Sequence, residues 1–196
     1  MRSCEVAKEM SNTDLTKETD AVRIFDAEAM RRALRRIAHE IIERNRDLHA
    51  LVLAGIPARG VELARRLAAD IDAIEKVRVA TGVIDVAMHR DDVGTRAGLP
   101  VVRTSQLPLP LDQRTVVIVD DVLFTGRTCR AAMDALGSFG RPACIQLAAL
   151  IDRGHRELPI RPDFVGKNLP TARSERVRVR LQETDGELDS VWLEKG

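Results

Sequence analysis

The sequence predicts a doubly wound α/β domain, a mostly parallel sheet covered by helices on both faces. Three observations carry that reading. Strand-like and helix-like stretches alternate along the chain, most of the strand-like ones are continuously apolar, and no repeat, low-complexity segment or linker interrupts them. A strand that is apolar throughout is buried on both faces, and among alternating elements that means a parallel sheet sandwiched by helices. At 196 residues, 44% hydrophobic and 31% charged, the chain has the length and make-up of one globular domain with a proper core.

The elements follow in order. Residues 1–20 are polar and mixed in charge and read as a flexible tail before a single domain over 21–196. Asp26 is an N-cap for a helix over about 27–45, in which Met30, Leu34, Ile37 and Ile41 recur at helical spacing. ALVLAGI (50–56) is a short apolar strand, and Arg59 and Gly60 lead into a helical VELARRLAADIDAI. VATGVIDVAMH (79–89) is strand-like and runs into the polar, glycine-containing RDDVGTRAGLP. TVVIVDDV (115–122) is the strongest strand and is followed by a helix over about 126–137. CIQLAALID (144–152) is another buried strand. RVRVRLQE (176–183) alternates as an edge or half-exposed strand does, and SVWLE closes the series.

Composition removes several function classes. A net charge of +1 gives no bulk attraction to nucleic acid, so any such binding needs charge sorted onto one face. Aromatics are 3% with no Tyr, too few for a base-stacking platform. No apolar run is long enough to span a bilayer, and the N-terminus lacks a signal peptide's apolar stretch, so no membrane partner is expected. The three cysteines lack metal-ligand spacing and their odd number opposes a disulfide framework, which points to a reducing cytoplasm.

The chemistry concentrates in VVIVDDVLFTGRT (116–128). In a doubly wound sheet ligands bind beyond the carboxyl ends of the strands, which is where Asp120 and Asp121 fall. Adjacent like charges repel, so stability alone does not explain them. Beyond Leu123 and Phe124, the turn Thr125-Gly126-Arg127-Thr128 opens a helix. There, unpaired N–H groups and the helix dipole favour an anion, two hydroxyls add donors, and glycine lets the backbone approach. The two carboxylates suit vicinal hydroxyls. The stretch therefore fits a sugar phosphate. Neither G-x-x-x-x-G-K-[ST] nor G-x-G-x-x-G occurs, and Mg²⁺-binding receiver domains with paired acids lack the Thr-Gly-x-Thr turn.

VVIVDDVLFTGRT resembles the phosphoribosyl-pyrophosphate (PRPP) signature of type I phosphoribosyltransferases. RRALRRIAHEIIERN, AGIPARG, HRDD and LIDRGHRELPIRPDFVGKNLPT, in that order, resemble the bifunctional pyrimidine-operon regulator and uracil phosphoribosyltransferase family. The resemblance runs from about residue 22 to the C-terminus. It implies the type I phosphoribosyltransferase fold, with a small hood from the C-terminal part. It also implies the reaction of uracil with PRPP, with Mg²⁺, to give UMP and diphosphate.

On that resemblance the catalytic residues are Arg59, Arg90, Asp120 and Asp121. Asp120 and Asp121 hold the ribose hydroxyls, with Asp121 also facing the metal. Leu123, Phe124, Thr125, Gly126, Arg127 and Thr128 surround the 5′-phosphate. Ala58 and Arg59 belong to a pyrophosphate loop over Gly55–Gly60, Arg90 starts a loop that closes over the site, and Arg153 and Val177 bracket the base. Three residues depart from the family pattern. Ala58 stands where Thr is usual, and His89 and Phe124 each stand where Tyr is usual; none of these removes a charged group.

On the first long helix, Arg31, Arg32, Arg35, Arg36 and His39 lie opposite the apolar stripe. From periodicity alone this is a solvated face. The resemblance instead implies a basic surface, shared by the two subunits of a homodimer or larger assembly, that binds leader RNA of pyrimidine genes in response to UMP. Its matching positions are Arg35, Arg36, His39, Arg44, His155, Arg156, Arg161 and Lys167. The alternatives are an RNA-binding regulator with little turnover and a salvage enzyme without an RNA role.

Overall fold

The computed structural model describes residues 21–87 and 105–196. The expected tail over 1–20, together with His89 and Arg90, lies outside the described residues. In chain order the elements are β1 (Ala21–Phe25), α1 (Ala27–Arg44), β2 (Leu51–Gly55), α2 (Arg59–Glu75), β3 (Ala80–Val83) and β4 (Thr115–Leu123). They continue with α3 (Arg127–Leu136), β5 (Cys144–Asp152), β6 (Phe164–Asn168), β7 (Arg176–Arg180), α4 (Gln182–Asp185) and β8 (Ser190–Glu194).

Two sheets form. Five parallel strands run in the order β3-β2-β4-β5-β6, and three antiparallel strands run β1-β8-β7. The parallel sheet is covered on both faces, as its unbroken apolar strands predict. Leu51, Leu53, Val117 and Val119 pack with Met30, Ile37, Leu63 and Leu67 of α1 and α2. Their strand neighbours Val52, Ala54, Val116 and Ile118 pack with Cys129, Ala132 and Leu136 of α3. Strand period two thus sends alternate residues of one run into two different cores.

The ends of the helices follow from their sequences. Asp26 caps α1, its carboxylate accepting the Ala29 N–H at 2.7 Å. Asn45 and Gln146, both buried, exchange amide hydrogen bonds of 3.0 and 3.2 Å where α1 ends against β5. Gly60 lets α2 sit on β4, because a Cβ there would lie 2.3 Å from the Val119 carbonyl oxygen.

The structure departs from the sequence reading at four places. β1 and β6 are additional strands; only Phe25 and Phe164 are buried in them, so neither carries an apolar run. The strand expected over 79–89 ends at Val83, and its last two residues lie outside those described. The stretch 176–183 is not one strand: β7 stops at Arg180 and α4 follows, closed by Gly186 at φ 70°. The turn forms because the Asp185 carboxylate takes the Leu181 N–H at 2.8 Å, an attraction the alternation of 176–183 does not contain.

Candidate functional site

Strands β2 and β4 are neighbours, yet the chain leaves them in opposite directions, towards β3 on one side and β5 on the other. This is the topological switch point, outside which an α/β sheet leaves a crevice for ligand. Arg59, where the loop from Gly55 enters α2, and Asp121, near the end of β4, both line that crevice. The Ile56 N–H donates to the Val119 carbonyl at 3.0 Å, which ties the two strand ends together. Gly55 permits the turn, since a Cβ would meet the Val61 Cα at 2.4 Å. The Pro57–Ala58 peptide is cis. Ala58 occupies the N-cap of α2 without a side-chain hydrogen bond, so the cap residue leaves the first N–H groups of this 17-residue helix to other partners, and Glu62 is the acid in its first turn.

The two acids differ. Asp120 is 8% exposed, and its carboxylate accepts the Asp121 N–H at 2.9 Å. Asp121 is half-buried and lines a polar cleft of about 360 Å³, together with Arg59, Val177 and Asp185. The antiparallel sheet supplies the cleft's far wall through β7 and α4. Three residues singled out on separate segments of the sequence, Arg59, Asp121 and Val177, thus meet in one space.

Arg59 is not free in that cleft. Its Nε and Nη2 donate to the two carboxylate oxygens of Asp185 at 3.1 and 2.6 Å. Burial pushes the Asp185 carboxyl up, but the bonds from Arg59 and from the Leu181 N–H outweigh it and hold it below the usual value. Farther along α2, Arg66 binds Glu183 and Asp189 in the same two-pronged way at 2.6 to 3.0 Å. Helix α2 is therefore joined to the antiparallel sheet at two points. No sequence signal near Arg59 announced Asp185, which lies 126 residues away.

At the end of β4 the chain turns through Gly126, at φ 93°, into α3. This backbone conformation is one that glycine adopts without strain. The Thr125 carbonyl accepts the Glu157 and Leu158 N–H groups at 3.0 and 3.3 Å, and its hydroxyl accepts the Arg127 N–H at 3.4 Å. Leu123 is buried, whereas Phe124, Thr125 and Thr128 are half-buried and Arg127 is exposed. The Arg153 guanidinium stacks 4.2 Å from the centre of the Phe124 ring. It also donates to the Thr171 hydroxyl and the Ala172 carbonyl, and burial lowers its pKa. A phenyl ring thus supports the stack without a phenolic hydroxyl.

The eight residues of the expected basic surface divide by what already holds them. Arg36 donates to the Val165 and Gly166 carbonyls of edge strand β6 and pairs with Glu40. Arg44 pairs with Asp163 at 2.9 Å. Arg156 braces the loop after β5 through Asp152 and the Phe124, Gly154 and Ile160 carbonyls. His155 bonds the Thr171 carbonyl at 2.6 Å and meets the Phe124 ring edge-on. Lys167 lies over Phe25. Arg35, His39 and Arg161 are exposed and make no hydrogen bond or ion pair among the described residues. No described helix is long and apolar enough to cross a membrane.

The phosphoribosyl transferase domain model matches residues 20–184. The chain is 58% identical over 171 residues to the bifunctional protein PyrR of Roseiflexus sp. (strain RS-1), covering 87% of this chain and 93% of that protein. It is 59% identical over 174 residues to the bifunctional protein PyrR of Chloroflexus aurantiacus, covering 89% and 95%. Among solved structures, a hypoxanthine phosphoribosyltransferase from Trypanosoma cruzi superimposes with a TM-score of 0.69 at 20% identity, over 88% of this chain and 94% of that one. A hypoxanthine-guanine phosphoribosyltransferase from Bacillus anthracis gives 0.68 at 16%, over 89% and 98%. At those identities the likeness is one of fold.

Proposed function

This chain belongs to the phosphoribosyltransferase family, and within it to the bifunctional PyrR proteins; on that premise we propose that it converts uracil and PRPP to UMP and diphosphate and regulates pyrimidine genes by binding leader RNA in response to UMP. The observation that carries the proposal is the switch-point cleft, where Arg59, Asp121 and Val177 line one space.

In the reaction, the bond from the anomeric carbon to diphosphate breaks, a carbon–nitrogen bond to the base forms, and the base gives up a proton. The ribose becomes cation-like as the diphosphate gains negative charge, so the protein's work is to position the partners and stabilise those charges. Asp120 and Asp121 accept from the ribose hydroxyls, and residues 124–128 hold the 5′-phosphate. Arg59, on the positive end of α2, meets the diphosphate. Arg153, fixed on Phe124, and the backbone near Val177 bracket the base. Arg90 is assigned to the closing loop on resemblance alone, as it lies outside the described residues.

Mg²⁺ is held in such sites by one or two carboxylates together with substrate phosphates. Asp121, open to the cleft, fits that role, and no cluster of three or more ligands occurs among the described residues. When bound, the ion neutralises charge on the diphosphate.

For RNA, Arg35, His39 and Arg161, exposed and without a hydrogen bond or ion pair among the described residues, are the first candidates for phosphate contact, with Asp70 near enough to Arg35 and His39 to offset part of their charge. Arg36, Arg44, His155, Arg156 and Lys167 would contribute positive charge from positions already anchored. A homodimer would join two such faces. The test is a uracil and PRPP assay on the pure protein, with leader-RNA binding measured with and without UMP. Transfer activity together with UMP-enhanced RNA binding is expected; transfer without RNA binding would leave a salvage enzyme, and RNA binding without transfer a regulator alone.

A further inference from the structure

We infer that Asp185 is a positioning residue of the transfer reaction: it holds Arg59 by one edge of the guanidinium and leaves the other edge for the diphosphate of PRPP. The inference rests on the reading of the cleft as a PRPP site. A guanidinium offers five N–H donors in one plane. Asp185 takes the Nε donor and one Nη2 donor, and Arg59 makes no other hydrogen bond among the described residues. The Nη1–Nη2 edge, with the geometry that matches two phosphate oxygens at once, is left open.

Asp185 is itself fixed before Arg59 arrives. It is the last residue of α4, its carboxylate accepts the Leu181 N–H at 2.8 Å, and its own N–H donates to the Leu181 carbonyl at 2.7 Å. Val179 and Leu181, both buried, anchor that turn in the core. A long side chain that would otherwise sample many rotamers is thus set by a rigid acceptor on the opposite wall. The lowered pKa of Asp185 keeps this acceptor ionised wherever the enzyme works near neutral pH.

A simpler role, that Asp185 only ties the antiparallel sheet to α2, is separable, because Arg66 makes a second tie to Glu183 and Asp189. Asp185→Ala should leave that second tie in place while releasing Arg59. Turnover should fall by about tenfold to a hundredfold, the scale of a misplaced charge at a reacting centre. UMP affinity should stay near wild type, since UMP has no diphosphate. Asp185→Asn, which retains one acceptor oxygen, should recover part of the loss. Asp189→Asn weakens the other tie and should lower the thermal midpoint without lowering kcat.

Wild-type turnover in Asp185→Ala would overturn the inference, as would an equal loss of kcat in Asp189→Asn. Tighter PRPP binding by Asp185→Ala at undiminished kcat would also overturn it, and would make Asp185 a competitor of the substrate. Calorimetry with diphosphate runs beside the assay. A wild type that binds diphosphate but transfers nothing would sink the functional reading, and weaker or unchanged diphosphate binding by Asp185→Ala would then decide this inference.

Discussion

At the scale of single residues, position in the sheet separates two acids that look alike in sequence. Asp120 is nearly buried and one of its carboxylate oxygens takes the Asp121 N–H; Asp121 is half-buried and lines the cleft. Asp121→Asn should keep the fold, since it relieves repulsion between neighbours, and should sharply weaken PRPP binding by removing a charged acceptor. Calorimetry that found unchanged PRPP affinity would end the assignment of Asp121 to the ribose. Gly60 makes a different kind of demand. A methyl group there meets the Val119 carbonyl, which is backbone and has little room to retreat. Gly60→Ala should therefore cost about 1–3 kcal/mol by overpacking and push α2 away from Asp120. Urea unfolding measures the first effect, and PRPP affinity the second. Asp121 and the Thr125–Thr128 turn were singled out in the sequence as candidates because their chemistry is local to a strand end, and Arg59 because its loop resembles the family's pyrophosphate loop. Asp185 was not, because what makes it matter is a partner 126 residues away.

At the scale of elements, legibility followed burial. β2, β4 and β5 are buried on both faces, so their sequences are unbroken apolar runs and their bounds fall within a residue or two of expectation. β1 and β6 lie at sheet edges and bury one aromatic each, so pairing rather than composition makes them strands. The antiparallel sheet shares the α1–α2 core through Phe25, Val179 and Val191, and the segment between β7 and β8 adds ion pairs to α2. Glu183, Asp185 and Asp189 all have lowered pKa values. For Glu183 the largest cause is the hydrogen bond from Arg66; for the two aspartates burial opposes the shift and bonds from arginine and backbone outweigh it. A carboxyl with a depressed folded pKa contributes stability that is complete above its ordinary value and is lost as pH falls. Those ordinary values are 4.5 for Glu183 and 3.8 for the aspartates, so the contribution fades below about pH 4.5. Asp70 on α2, raised by burial, acts in the opposite sense. Trp192, the chain's one tryptophan, lies on β8 and reports on this sheet. In an acid titration its fluorescence should change at higher pH than the far-ultraviolet signal of α1, α2 and α3. Coincident transitions would show that the two sheets come apart as one.

At the scale of the whole molecule, the cleft lies at the carboxyl ends of the parallel strands, whereas the exposed basic residues Arg35 and His39 of α1 stand on a helix face. Arg35→Glu with Arg161→Glu should weaken leader-RNA binding and leave uracil transfer nearly unchanged. Because phosphate contacts dominate such surfaces, the gap between wild type and variant should narrow as salt rises. If UMP strengthens RNA binding by some factor, RNA must tighten UMP binding by the same factor, a coupling of about 1–3 kcal/mol. Gel shifts at two salt concentrations and UMP titrations with and without RNA measure both; equal RNA affinities for wild type and variant would return α1 to a solvated face.

The order of the three-stranded sheet has a further consequence for how the protein comes into being. β8 is its middle strand, pairing Glu194 with both Ala21 and Arg176, yet it is the last described element to leave the ribosome. β1, made first, must wait for a partner some 170 positions downstream, a contact that carries a high loop-closure cost. The parallel sheet can assemble meanwhile, since its last strand ends at Asn168. A nascent chain would thus display Asp120 and Asp121 before the wall that faces Asp121 exists, and the cleft would be complete only once β8 is free to pair with β1 and β7.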